Sequence, residues 1–149
     1  MADNSVSMKL KLVTLLGEAM SEDVYEVVLP TKSGMITVLP DHEPLVTLLE
    51  PGAMAIRRSK SDPDSKLEFF AVSSGVVEVS GRTLVILADE AESDHEIAEN
   101  EAEAAYKRAQ KMHDNAKDQQ ELEEAKKMVS HQAARLKVAS LRRQYRSIK

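Results

Sequence analysis

All five glycines and all five prolines of this 149-residue chain lie between Gly17 and Gly81, and from Glu90 to Lys149 there is neither. Those two residues are the strongest local punctuators of backbone structure. The chain must therefore change its mode of folding near residue 89: short turn-bounded segments come first, long uninterrupted helix after. The expected division is a β domain over 1–89 and a helical arm over 90–149.

From Lys9 to Ala88 the apolar runs have strand length: Lys9 to Leu16, Val24 to Leu29, Met35 to Leu39, Leu45 to Leu49, Ala53 to Arg58, Leu67 to Val72, Val76 to Val79 and Thr83 to Leu87. Ser33-Gly34, Pro51-Gly52 and Ser80-Gly81 supply turn chemistry, and Pro63 fixes φ within the polar stretch Ser59 to Lys66. Several short strands at this spacing form a sandwich or a barrel. In the Val24–Leu29 run both faces carry apolar residues, which places that strand inside the layered structure.

Beyond Asp89 the period lengthens. Ser93-Asp94-His95-Glu96 and Asp118-Gln119-Gln120-Glu121 both have capping-box spacing, and the poor helix formers His113-Asp114-Asn115 predict a turn near 115–117. Two helices of roughly 20 and 28 residues, about 30 and 42 Å long, are expected to fold back as an antiparallel hairpin. The first carries a stripe of Ala98, Ala102, Ala105, Ala109, Met112 and Ala116; the second carries Leu122, Ala125, Val129, Gln132, Leu136 and Ala139. Each buried methylene contributes on the order of 0.8 kcal/mol, so an alanine seam forgoes several kcal/mol relative to leucine. The hairpin is expected to open readily, or else to remain a permanently docked appendage.

Charge is segregated along the arm. Seven acids, Glu90, Glu92, Asp94, Glu96, Glu99, Glu101 and Glu103, precede its first base, whereas Arg135, Lys137, Arg142, Arg143, Arg146 and Lys149 close the chain without an acid between them. Both biases suit the helix dipole. The basic end also suits a grip on an acidic protein surface. A formal net charge of −5 and few aromatic residues argue against general nucleic-acid binding.

Little here supports catalysis. Without cysteine there are no thiol nucleophiles or thiolate metal sites. Asp41-His42-Glu43, bracketed by Pro40 and Pro44, is the obvious acid–base or metal candidate, yet three adjacent side chains converge poorly on one centre. It reads better as a rigid turn or a protein contact. The even spacing of His95, His113 and His131 is broken by the predicted turn, and no phosphate-cradling glycine loop or Ser/His/Asp set is present. No apolar run nears the roughly 20 residues of a membrane span, and Met1–Ser7 is too polar for a signal peptide. A soluble, unexported chain is expected.

Four phrases stand in a distinctive order: Ser33-Gly34 with Leu39-Pro40-Asp41-His42-Glu43-Pro44-Leu45-Val46-Thr47; Glu50-Pro51-Gly52; Ser74-Gly75-Val76-Val77-Glu78-Val79; and Val85-Ile86-Leu87-Ala88-Asp89-Glu90-Ala91-Glu92. Together they closely resemble the epsilon subunit of bacterial F-type ATP synthase, over Met8 to about Glu92 by motif and onward by length and helical character. The resemblance implies a β-sandwich of about ten strands followed by the two-helix hairpin. It implies a non-catalytic rotor subunit that couples proton-driven c-ring rotation to ATP synthesis and restrains ATP hydrolysis through its helices. The implied partners are the gamma subunit, the c ring and the alpha/beta subunits, on the cytoplasmic face of the bacterial membrane. Leu39, Pro40, Asp41, His42, Glu43, Pro44 and Leu45 match the segment facing the c ring and gamma, and Arg135, Arg142, Arg143 and Arg146 are the candidates for alpha/beta contacts.

Two departures from the family pattern matter. Gly34-Met35-Ile36-Thr37 lacks the carboxylate that family members commonly carry there. Where some members bind ATP through Ile-Asp-x-x-Arg-Ala, this chain has Ile97-Ala98-Glu99-Asn100-Glu101-Ala102. Ala98 and Glu101 thus replace the aspartate and arginine, so ATP binding is expected to be weak or absent and no cofactor or metal is expected. The rival readings are a free-standing sandwich and coiled-coil adaptor, and a small metal-dependent hydrolase built on Asp41, His42 and Glu43.

Overall fold

The computed structural model describes residues 6–147; Lys149 of the basic tail lies outside them. Ten strands precede two helices: β1 Met8–Thr14, β2 Gly17–Val24, β3 Glu26–Thr31, β4 Gly34–Val38, β5 Leu45–Leu49, β6 Gly52–Arg57, β7 Glu68–Val72, β8 Gly75–Ser80, β9 Thr83–Ala88, β10 Ala91–Ser93, α1 Glu99–Asp114 and α2 Gln119–Arg146. The expected sandwich of about ten strands followed by an antiparallel helical hairpin is what the chain forms.

The strands join in the order β10-β7-β6-β3-β5-β8-β9-β1-β2, with β4 on β3. A single residue pair, Thr31 with Leu49, links β3 to β5, and there the sheet folds from one layer into the other. Alternate residues of both layers point inward. Leu10, Leu12, Val24, Val77, Leu84 and Ile86 meet Val27, Leu29, Val38, Met54, Ile56 and Val72 in one core. The β3–β4 turn is fixed by the Thr31 hydroxyl, which donates to the Gly34 carbonyl at 2.6 Å and accepts from Ser33 N at 3.3 Å. Gly34 sits at φ +110, where a side chain would be strained.

The eight expected strands form, with shifted ends. The Val24–Leu29 run divides at Tyr25 between β2 and β3, and β3 is the central strand, bonded to β4, β5 and β6. Two strands escape the sequence pattern. β2 is a polar edge strand with one buried residue, Val24. β10 has three residues and pairs with β7, carrying the sheet past residue 89 to Ser93.

Gly75 shows why a glycine opens β8. A Cβ there would lie 1.8 Å from the Leu87 carbonyl oxygen, inside the β8–β9 pairing. At the other end of the sandwich, Arg57 bonds Asp64 Oδ1 at 2.6 Å and Arg58 bonds Glu68 at 2.5 Å, tying down the polar loop after β6. Those hydrogen bonds are the main cause raising both guanidinium pKa values, so the two side chains stay charged at any working pH.

The arm lies on the outer face of β6 and β7. Ala53, Ala55, Phe69 and Ala71 pack against Ala134, Val138, Ala139 and Tyr145 of α2, with Ile97 and Ala102 closing the cluster. Phe69 and Tyr145 meet with ring centroids 5.4 Å apart. β6 and β7 are thus covered on both faces.

Candidate functional site

The proline-bracketed loop is held from outside as well as by its own backbone. Asp41 adopts φ +66, a left-handed conformation that aspartate tolerates better than most residues. His42 N donates to the Leu39 carbonyl at 3.1 Å, and His42 Nδ1 lies 2.7 Å from the Glu43 carbonyl. From the β8–β9 turn, Arg82 forks onto Asp41 at 3.0 and 3.4 Å. Leu39, Asp41, Glu43 and Pro44 are exposed, while Pro40, His42 and Leu45 are half-buried. Asp41, His42 and Glu43 do not converge, and among the described residues no three His, Asp or Glu side chains form a metal-holding group.

In the arm, Asp118 caps α2 by accepting from Glu121 N at 2.8 Å, as its spacing predicts. The other box makes only one turn. Ser93 N donates to Glu96 Oε2 at 3.1 Å and Glu96 N to the Ser93 carbonyl at 2.9 Å, but the chain then extends through Ala98 at φ −87, ψ 111. That extension buries Ile97 between arm and sandwich. Helix α1 consequently begins at Glu99 and has 16 residues, short of the roughly 20 expected, whereas α2 has the expected 28.

Ala102, Ala109, Ala125 and Ala139 are buried in the seam, and Ala105, Ala116, Leu122, Val129, Gln132 and Leu136 are half-buried. Ala98 and Met112 are exposed. Sequence spacing missed Ala134 and Val138, which α2 buries in the cluster shared by the sandwich and Ala102 of α1.

All four candidate arginines turn back onto the stretch from β10 to the start of α1. Arg135, 9% exposed, meets Glu92 at 2.8 and 3.3 Å and Gln132 Oε1 at 2.9 Å. Arg142 donates to the carbonyl of Asp94 and, at 3.5 Å, to that of Ile97. Arg143 bonds Glu99 at 2.7 Å, and Arg146 reaches Asp94 Oδ2 at 3.4 Å. A cleft of about 590 Å³ opens between the top of the sandwich and α2, lined by Glu50, Asp89, Glu90 and Glu123 as well as Lys126, Lys127 and His131. His131 Nε2 stands 3.3 Å from Glu90 Oε2 across it.

A further surface was not singled out by sequence reasoning. On the layer the arm leaves bare, Leu48, Val76, Leu87 and Val13 are direct neighbours across β5, β8, β9 and β1. Leu48 is 50% exposed and Leu87 49%, and Val46 beside them reaches 70%. Such a contiguous apolar stripe marks an interaction face. The signal was present: Leu45 to Leu49 and Leu84 to Leu87 are apolar at both strand faces.

Residues 7–94 match the family model for the β-sandwich domain of the ATP synthase delta/epsilon chain. An ATP synthase epsilon chain of Herpetosiphon aurantiacus is 35% identical over 137 residues, 91% of this chain and 96% of the relative. That of Chloroflexus aggregans is 36% identical over 133 residues, covering 89% and 91%. A chain in the cryo-EM structure of the Euglena gracilis mitochondrial ATP synthase, OSCP/F1/c-ring in rotational state 1, superposes with a TM-score of 0.74 at 20% identity, over 90% of this chain and 83% of that one. At that identity the likeness is one of fold. Coverage near nine-tenths carries both kinds of similarity into the arm. This chain belongs to the ATP synthase epsilon-chain family.

Proposed function

We propose that this chain is a non-catalytic rotor subunit of the central stalk of an F-type ATP synthase, coupling proton-driven rotation of the c ring to ATP synthesis and restraining ATP hydrolysis through its arm. The observation that carries this reading is the apolar stripe Leu48–Val76–Leu87–Val13 on the uncovered layer. A stalk partner needs a stiff, water-shedding face, and a sheet in register provides one. We assign the stripe to the gamma subunit. The loop Leu39–Leu45, clamped by Arg82, then faces the c ring at the end of the sandwich away from the cleft. A subunit placed so sits peripherally on the cytoplasmic side of the membrane; no helix among the described residues is long and apolar enough to cross it.

The test is assembly. Leu48→Asp with Leu87→Asp changes two outward side chains and no core residue, so the isolated chain keeps its circular dichroism spectrum while its affinity for gamma falls at least about tenfold. Undiminished assembly of that variant would remove the stripe as the coupling face.

In an extended arm, Arg135, Arg142, Arg143 and Arg146 are available to acidic segments of the alpha and beta subunits. Nucleotide binding by this chain is weak or absent. Four carboxylates line the cleft against two lysines, a balance that disfavours a polyphosphate, and Arg135, Arg142 and Arg146 already hold carboxylates and carbonyls. Calorimetry with ATP is expected to give no micromolar binding; a saturable micromolar isotherm overturns this.

A further inference from the structure

The contact between α2 and the sandwich sets Ala53, Ala55, Leu67 and Ala71 against Ala134, Leu136, Val138, Ala139 and Leu141, with one aromatic pair, Phe69 and Tyr145. Apolar burial is non-directional, so by itself it selects one seating of a helix less sharply than paired charges do. The polar contacts at its edge are of another kind. Glu92 stands on β10 and Asp94 directly after it, both part of the sandwich, and each receives an arginine from α2. Asp94 is 1% exposed. Its Oδ2 faces Arg146 at 3.4 Å, and its Oδ1 receives no hydrogen bond from the described residues and lies 3.4 Å from His95 Nε2.

A buried ion pair need not stabilise a fold relative to apolar packing, but losing one partner is strongly unfavourable, because the other charge is left desolvated and alone. Such pairs therefore discriminate sharply between one seating of a helix and another. Arg135 satisfies this condition most fully, forking onto Glu92 with Gln132 accepting a third N–H; Arg146 is itself exposed, and in its pair the desolvated charge is that of Asp94. Arg143 with Glu99 is an exposed pair of the kind that contributes little.

We propose that Glu92 and Asp94 form an ionic latch with Arg135 and Arg146 that sets whether the arm is docked or free, and that the arginines become available to any other acidic surface only when this latch opens. Docking and gripping are thus mutually exclusive uses of one set of side chains. The inference deepens the reading of the arm as a movable restraint. Its test uses the isolated full-length chain, so the latch can fail while the ATP synthase reading stands, and the reverse.

The measurement is amide hydrogen exchange by mass spectrometry, comparing α2 residues 135–146 with strands β1 and β9 as the internal reference. Arg135→Met and, separately, Glu92→Gln raise exchange in that part of α2 by about tenfold or more, with β1 and β9 unchanged. The exchanged pair, Glu92→Arg with Arg135→Glu, restores protection to within about threefold of the unmodified chain. Arg143→Met changes exchange by less than about twofold. Exchange in α2 that stays within twofold in both single variants overturns the proposal. So does a charge-exchanged chain no better protected than the single variants. Should Glu92→Gln disturb β10 itself, seen as exchange in β7, Arg135→Met and Arg146→Met on the helix side decide the question alone.

Discussion

Asp41 illustrates how one residue's backbone state can define a surface. At φ +66 a β-branched side chain is disfavoured by roughly 1–2 kcal/mol, whereas glycine accepts the conformation freely. Asp41→Val should therefore lower stability in urea by about that amount, and Asp41→Gly should lower it by clearly less, although both lose the Arg82 pair. Equal losses in the two variants would mean that the pair with Arg82, not the backbone, holds the loop. The prolines on either side made the rigidity of this loop legible in the sequence. Arg82 was not, since its proximity follows from the β5–β8 pairing, which places the β8–β9 turn beside Leu45. The same limit hid the fate of the tail arginines: their charge was evident, but their partners Glu92 and Asp94 lie 43 to 52 residues away.

At the scale of elements, what could be read was what is local. Asp118 marked the start of α2, and turn residues marked most strands. The Ser93 box misled because a satisfied turn is not a helix: Ile97 has a burial site on the sandwich, and reaching it requires extended backbone at Ala98. β2 was missed because a polar edge strand need not alternate visibly. The seam was legible as an alanine stripe, and its consequence can be measured. Ala109 is fully buried between the helices, so Ala109→Leu must force them apart, destabilising the hairpin by about 1–3 kcal/mol. Helical circular dichroism should then melt earlier than the sandwich, whose core does not include Ala109. A hairpin stabilised by the same substitution would show that the alanine seam is loosely filled.

For the whole molecule, the arrangement separates two tasks. One layer of the sandwich presents an apolar stripe and the other seats the arm, so a partner on the first does not compete with the helices for the second. The rigid loop Leu39–Leu45 and the cleft at Glu50, Asp89 and Glu90 lie at opposite ends of the strands. Segregation of charge along the arm has a structural counterpart: its basic end rests on its acidic beginning.

The decisive measurement compares ATP hydrolysis by F1 reconstituted with the full-length chain and with a chain ending at Glu96. That end point keeps β10 and its following turn and removes both helices. If the sandwich couples and the arm restrains, the shortened chain assembles as well as the full one and hydrolysis rises severalfold. Equal rates from two fully assembled complexes would contradict the arm's role as a restraint.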